Sequence, residues 1–129
     1  LQNTAGRIAD VTKVLKDNSI NLRALMIADT QDFGILRIIT DDSDKALDVL
    51  KKANFTTKTT DVIAISVSDK VGALCDVMTL FQNNNINIEY LYASLEKNGN
   101  NAIIIFKVED ADKALIVVEQ NGLSSVESF

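Results

Sequence analysis

Apolar residues recur at helical spacing at Ile8, Val11 and Leu15, and again at Leu74, Val77 and Phe81. Such spacing puts each set on one side of a turn of chain, which predicts an amphipathic helix in both stretches. Each helix then meets a polar cluster, Asp17–Ser19 or Asn83–Asn85, which predicts a stop and a change of direction. Strand-like runs follow at Ile20–Asp29 and Ile86–Leu95, and again at Ile35–Thr40 and Ile103–Val108. Between them, Asp29–Phe33, and Lys97–Asn101 with its Gly99, predict hairpin turns. Asp42 or Ser43, and Asp110, are the expected N-caps of a second helix carrying Ala46, Leu47 and Leu50, or Ala114, Leu115 and Val118. Asn54 and Gly122 stand where a left-handed helix stop belongs.

The two halves say the same thing. With Gly6 laid on Gly72, GRIADVTKVLKDNSINLRAL covers GALCDVMTLFQNNNINIEYL without a gap, and Asp10/Asp76, Val11/Val77, Ile20/Ile86, Asn21/Asn87 and Leu25/Leu91 agree. Two more residues in the second hairpin bring ILRIITDDSDKALDVL over IIIFKVEDADKALIVV, with Asp42/Asp110, DKAL and Val49/Val117 in common. Two copies are too few for a solenoid and suit a duplicated small domain, residues 1–60 and 61–129. The run DVIAISV, Asp61–Val67, supplies a strand ahead of the second copy's helix. The order β-α-β-β-α-β follows, an α+β, ferredoxin-like plan with antiparallel sheets and helices on one face. The opening strand of the first copy is largely absent, since only Leu1 lines up with Val67.

Strict alternation along the second strand places Ile20 and Leu22 (Ile86 and Ile88) on one face and Asn21 and Arg23 (Asn87 and Glu89) on the other. Continued, it puts Leu25, Ile27 and Leu91 on that second face, while Ile35–Thr40 and Ile103–Val108 are apolar on both. A sheet with one face in water should be polar there. The second face, with Leu25, Ile27, Leu91, Ile103 and Ile105, is therefore expected to be covered by a second sheet, the other copy or another subunit.

Composition narrows the chemistry. The 129 residues are 47% hydrophobic and 24% charged, a globular balance, with a net charge of −5. Acidic character without a basic patch argues against nucleic acid and anionic membrane partners. RNA recognition on such a sheet would also need aromatic stacking platforms, where the third strand offers Ile103, Ile104 and Ile105. No apolar run of about 20 residues is present, so no membrane span is expected, and no signal peptide is visible. A cytoplasmic location is expected. The chain has no His, the commonest general base and metal ligand. Neither a metal nor a cofactor is expected.

Several chemical signals dissolve on inspection. DFG at Asp32–Gly34 has no accompanying nucleotide-binding motif and reads as a hairpin turn. DDSDKALD at Asp41–Asp48 lacks the central Gly and terminal Glu of a calcium loop, so it reads as helix capping. Cys75, the single cysteine, reads as a core or near-core residue with nothing to activate it. Asp10 and Asp76 read as solvated helix-face residues.

Two loops remain, NTAGRI at Asn3–Ile8 and DKVGAL at Asp69–Leu74, each joining a strand position to a helix start. Backbone N–H groups there, with the helix dipole behind them, can hold a carboxylate or phosphate, and Gly lets a ligand come close. A tight turn and cap is the plain alternative. These loops, the Ile-Asn-aliphatic start of the second strand and the duplicated element order resemble ACT domains over essentially the whole chain, and more narrowly free-standing tandem ACT proteins. Members of that family are small-molecule-binding regulatory modules of amino-acid metabolism. They often bind an amino acid at the interface of two modules joined through second-strand edges. The resemblance implies ligand-binding positions at Asn3, Thr4, Ala5, Gly6 and Arg7, and at Asp69, Lys70, Val71, Gly72 and Ala73. Asn21 and Asn87 would face the same seam, or else merely begin a strand. The family's frequent Pro before the glycine is replaced here by Ala5 and Val71, which leaves the amides available.

With no clustered nucleophile and base and no phosphate loop, an enzyme is not expected. The expected function is that of a sensor binding a small amino acid, assembled as a homodimer. Whether it acts on a partner enzyme is not written in the residues. The alternative is a non-catalytic regulatory subunit or protein-interaction module with degenerate ligand sites.

Overall fold

The computed structural model describes residues 6–29 and 34–126. The chain divides into two compact units, Leu1–Thr60 and Asp61–Phe129. In the first, helix α1 (Arg7–Asp17) leads to strands β1 (Leu22–Asp29) and β2 (Gly34–Thr40) and helix α2 (Ser43–Lys52). In the second, strand β3 (Ile63–Ser68) precedes helix α3 (Ala73–Asn83), strands β4 (Ile88–Asn98) and β5 (Asn101–Val108), helix α4 (Ala111–Gln120) and the short β6 (Ser124–Ser125). The second unit ranges its strands β4-β5-β3-β6, each pair antiparallel. The first pairs β1 with β2, also antiparallel. The fold is α+β, two tandem ferredoxin-like repeats. The first hairpin turn, expected at Asp29–Phe33, falls largely outside the described residues.

The four helices among the described residues end in one way. Ser19, Asn54, Asn85 and Gly122 take positive φ. The N–H of the next residue then donates back into the helix: Ile20 to Leu15 O at 2.9 Å, Phe55 to Leu50 O at 3.0 Å, Ile86 to Phe81 O at 2.9 Å and Leu123 to Val118 O at 3.0 Å. This is the Schellman closure, in which a residue just past the helix folds its side chain under the last turn. Leu15, Ile20, Leu50 and Phe55 duly lie in the first unit's core. Phe81, Ile86 and Val118 lie in the second's, with Leu123 against them. The polar clusters thus stop each helix and aim an apolar residue inward.

Both helices of each unit pack on one sheet face. In the second unit, Val77 and Phe81 of α3 and Ala114, Val117 and Val118 of α4 meet Ile63, Ile65, Val67, Ile104, Phe106 and Val108. Phe81 and Phe106 meet edge to face, ring centroids 5.3 Å apart, an arrangement their quadrupoles favour.

The alternation expected along the second strand is corrected by a β-bulge that both repeats share. Leu22 opposes Thr40 but Ala24 opposes Ile39; Ile88 opposes Val108 but Tyr90 opposes Lys107. One extra residue, Arg23 or Glu89, stands unopposed, and every later side chain changes face. Leu25 and Ile27 therefore share the face of Ile38 and Leu36, their partners on β2, which is the helix side. Leu91 opposes Phe106 and packs into the helix-side core. The expected cover is not uniform. On the face away from the helices, Ile103 and Ile105 are 2% and 0% exposed, whereas on the helix side Leu25 and Ile27 remain 37% and 43% exposed.

The first-helix stripe needs a second correction. Val11 and Leu15, and Val77 and Phe81, are buried, but Ile8 and Leu74 are exposed in the first turn. Cys75, expected at or near the core, is exposed. Two residues before Val77, it is rotated about 200° from the buried stripe at 100° per residue.

Candidate functional site

The first helix of each unit starts on a glycine in the left-handed region, Gly6 at φ 90°, ψ −9° and Gly72 at φ 87°, ψ −9°. A Cβ at either position would meet nothing within 4 Å. Backbone geometry, and not crowding, is what calls for glycine here. Neither helix receives a side-chain cap. The first helical bonds run from Asp10 N–H to Gly6 O at 2.9 Å and from Asp76 N–H to Gly72 O at 3.0 Å. In the second unit Ala73 N–H donates to Lys70 O at 3.2 Å.

The second helices supply an internal contrast. Asp42 accepts from Lys45 N–H and Asp110 from Lys113 N–H, each at 3.1 Å. A repeat that caps one helix with Asp has the means to cap both. At α1 and α3 the N-cap residue is instead a glycine, which offers no side-chain acceptor to the first-turn amides in the positive field of the helix start. Asp10 and Asp76 stand in those first turns and are exposed as expected.

Gly6 and the segment Asp69–Gly72 are exposed, while Arg7 and Ala73 are half-buried. The Arg7 guanidinium lies over the Phe55 ring, 4.4 Å from its centroid, and its buried Nε has no hydrogen-bond partner among the described residues. Asn3, Thr4 and Ala5 lie outside the described residues.

Asn21 and Asn87 stand elsewhere within their units. Each follows the far end of its first helix, and eleven helical residues span about 16 Å. Asn21 N–H donates to Asp41 Oδ1 and Asp41 N–H to Asn21 O, both at 3.1 Å. Glu109 N–H donates to Asn87 O at 3.0 Å. These bonds tie the start of the second strand to the end of the third. Within a unit, then, the structure does not bring the asparagine and the glycine loop together. Asn87 lines instead an open cleft of about 670 Å³ at the start of α4, with Asp61, Asn85, Lys107 and Glu109 among its walls. Lys107 there pairs with Glu89 at 3.5 Å.

Among the described residues no group of three or more Cys, Asp or Glu could hold a metal ion, and no helix is long and apolar enough to cross a membrane. Sequence reasoning missed the cleft and the Arg7–Phe55 stack. Both join segments far apart in the chain, which leave no local periodicity to read.

The duplicated α+β unit coincides with a known family. Residues 1–128 match the ACT domain pair, and the chain belongs to it. That is a family of regulatory modules, not a catalytic one. A crystal structure of a protein from Bacteroides thetaiotaomicron is 38% identical, with a TM-score of 0.91 over 98% of this chain and 86% of that one. The regulatory subunit of aspartate kinase from Thermus thermophilus, in its ligand-free form, shares the fold at 17% identity, with a TM-score of 0.65 over 95% of this chain and 87% of that one. No curated protein matches the chain.

Proposed function

We propose that the chain is a sensor that binds a small free amino acid at its first-helix starts and does no chemistry on it. One observation carries this reading. In both units the Asp-capped helix is the second one, and the helix begun by a left-handed glycine is left uncapped. The ligand carboxylate takes the acceptor's place at the amides of Ile8 and Ala9 or of Leu74 and Cys75. Asp69, Lys70, Val71, Gly72 and Ala73, and the aligned Asn3, Thr4, Ala5, Gly6 and Arg7, are the proposed ligand-binding positions around it. Asp10 and Asp76 favour a zwitterion over a bare anion, because each sets a carboxylate near the place where an ammonium group would lie. Asn21 and Asn87 lie too far along their own units to touch the same molecule as their own glycine, so their part requires a neighbouring module. A homodimer supplies such neighbours, and the ligand acts by favouring the arrangement of modules it binds best.

A thermal-shift screen of the common amino acids tests the reading. A ligand that binds the folded chain alone adds about 2.7 kcal/mol at a hundredfold excess over its Kd. A reproducible rise with one or a few amino acids is expected. No rise with any of them at millimolar concentration contradicts the proposal.

A further inference from the structure

We infer that the first unit is an order–disorder element that opens while the second stays folded, so the chain does not unfold in one step. The aligned strands β2 and β5 show the asymmetry. In the second unit β5 lies between β4 and β3, and its Ile103, Ile104, Ile105 and Phe106 are all buried. In the first, β2 pairs with β1 alone among the described residues. Its aligned Ile35 is exposed, and Leu36, Arg37 and Ile38 are half-buried. A two-stranded hairpin depends on the helices packed against it, whereas three or more strands with an apolar face can hold together without them.

The cores differ in the same direction. Among the described residues, six buried side chains form the first and twelve the second. Phe81 and Phe106, which meet edge to face, align with Leu15 and Ile38. The first unit thus has smaller side chains where the second has its aromatic pair, and aromatic residues bury the most apolar area. Of the largest fully buried side chains described, Leu15 alone belongs to the first unit. Residues 56–62, which join the units, form neither helix nor strand and are mostly exposed. A small unit with a small core stands at the low end of local stability. This asymmetry stands whether or not an amino acid binds. It gives a regulatory module its two-state part, since a molecule that binds the closed first unit shifts that unit and leaves the second folded.

The competing picture is a single cooperative transition across both units. The experiment is native-state hydrogen exchange of the full chain, read amide by amide by nitrogen–proton NMR at low urea. The amides of Leu15 and Leu50 are compared with those of the aligned Phe81 and Val118, all four inside helices. Protection of Leu15 and Leu50 is expected to be at least about tenfold weaker than that of Phe81 and Val118, and to vanish at lower urea. Leu15→Ala should widen the gap, and Phe81→Ala should narrow it. Equal protection with one urea dependence at all four amides, or second-unit amides that exchange first, overturns the inference. Should Leu15→Ala unfold the first unit outright, the second unit's resonances decide. Their retention in folded positions supports separate opening, and their loss overturns it.

Discussion

Gly6 and Gly72, 66 positions apart, hold the backbone in one conformation, differing by 3° in φ and not at all in ψ. Each begins the first helix of its unit and leaves it uncapped. Any side chain here would be strained, although open space surrounds it.

Gly6→Val and Gly72→Val should therefore act twice. The left-handed conformation costs an L-residue about 1–2 kcal/mol of stability. On the proposed reading, relaxing that strain would also rotate the amides away from a ligand carboxylate. Charge-assisted bonds contribute about 1.5–3 kcal/mol each, so affinity at the altered loop should fall at least about tenfold. Gly122→Ala, at φ 72° beyond α4, is the control for strain alone and should leave affinity unchanged. Calorimetric titration of the folded variants reads both effects; if neither glycine variant loses affinity, the loops are turns and nothing more.

The second helices should behave in the opposite way. Asp42→Ala and Asp110→Ala each remove a cap bond at 3.1 Å and should cost about 0.5–2 kcal/mol in denaturant unfolding. Their amides belong to the fold, so affinity should not move. A loss of affinity in Asp110→Ala would point instead to the cleft at the start of α4.

Local features were legible in the sequence. Asp42 and Asp110 cap where expected, and Asn54 and Gly122 stop helices where expected, because each acts through its own backbone and the next turn. The glycine starts were legible because they are repeated. The bulge at Arg23 and Glu89 was not. Nothing local distinguishes one extra residue from regular alternation, and register is set by the partner strand, so Leu25, Ile27 and Leu91 were assigned to the wrong face. Arg7 and Phe55 meet across 48 positions, beyond the reach of any periodicity. The glycine N-caps of the first helices differ from the Asp caps of the second ones in the structure, a contrast that no local pattern announces.

Stability should hinge on the residues where helix ends meet the sheet. Phe81 is fully buried, accepts the Schellman bond of Ile86 at 2.9 Å and stacks edge-on against Phe106. Phe81→Ala should cost about 3–5 kcal/mol. Leu15→Ala, the equivalent change in the first unit, should cost about 2–5 kcal/mol. Chemical denaturation reads both, and a loss below about 1 kcal/mol at Phe81 would mean that this core is not closed as described.

The most direct measurement is a crystal structure of the chain grown with the amino acid that raises its melting temperature most. The account predicts a carboxylate oxygen within about 2.7–3.2 Å of the Ile8 or Ala9 N–H, or of the Leu74 or Cys75 N–H. An amino acid lying instead in the cleft beside Asn87 and Lys107, with both glycine-started helices empty, would contradict it.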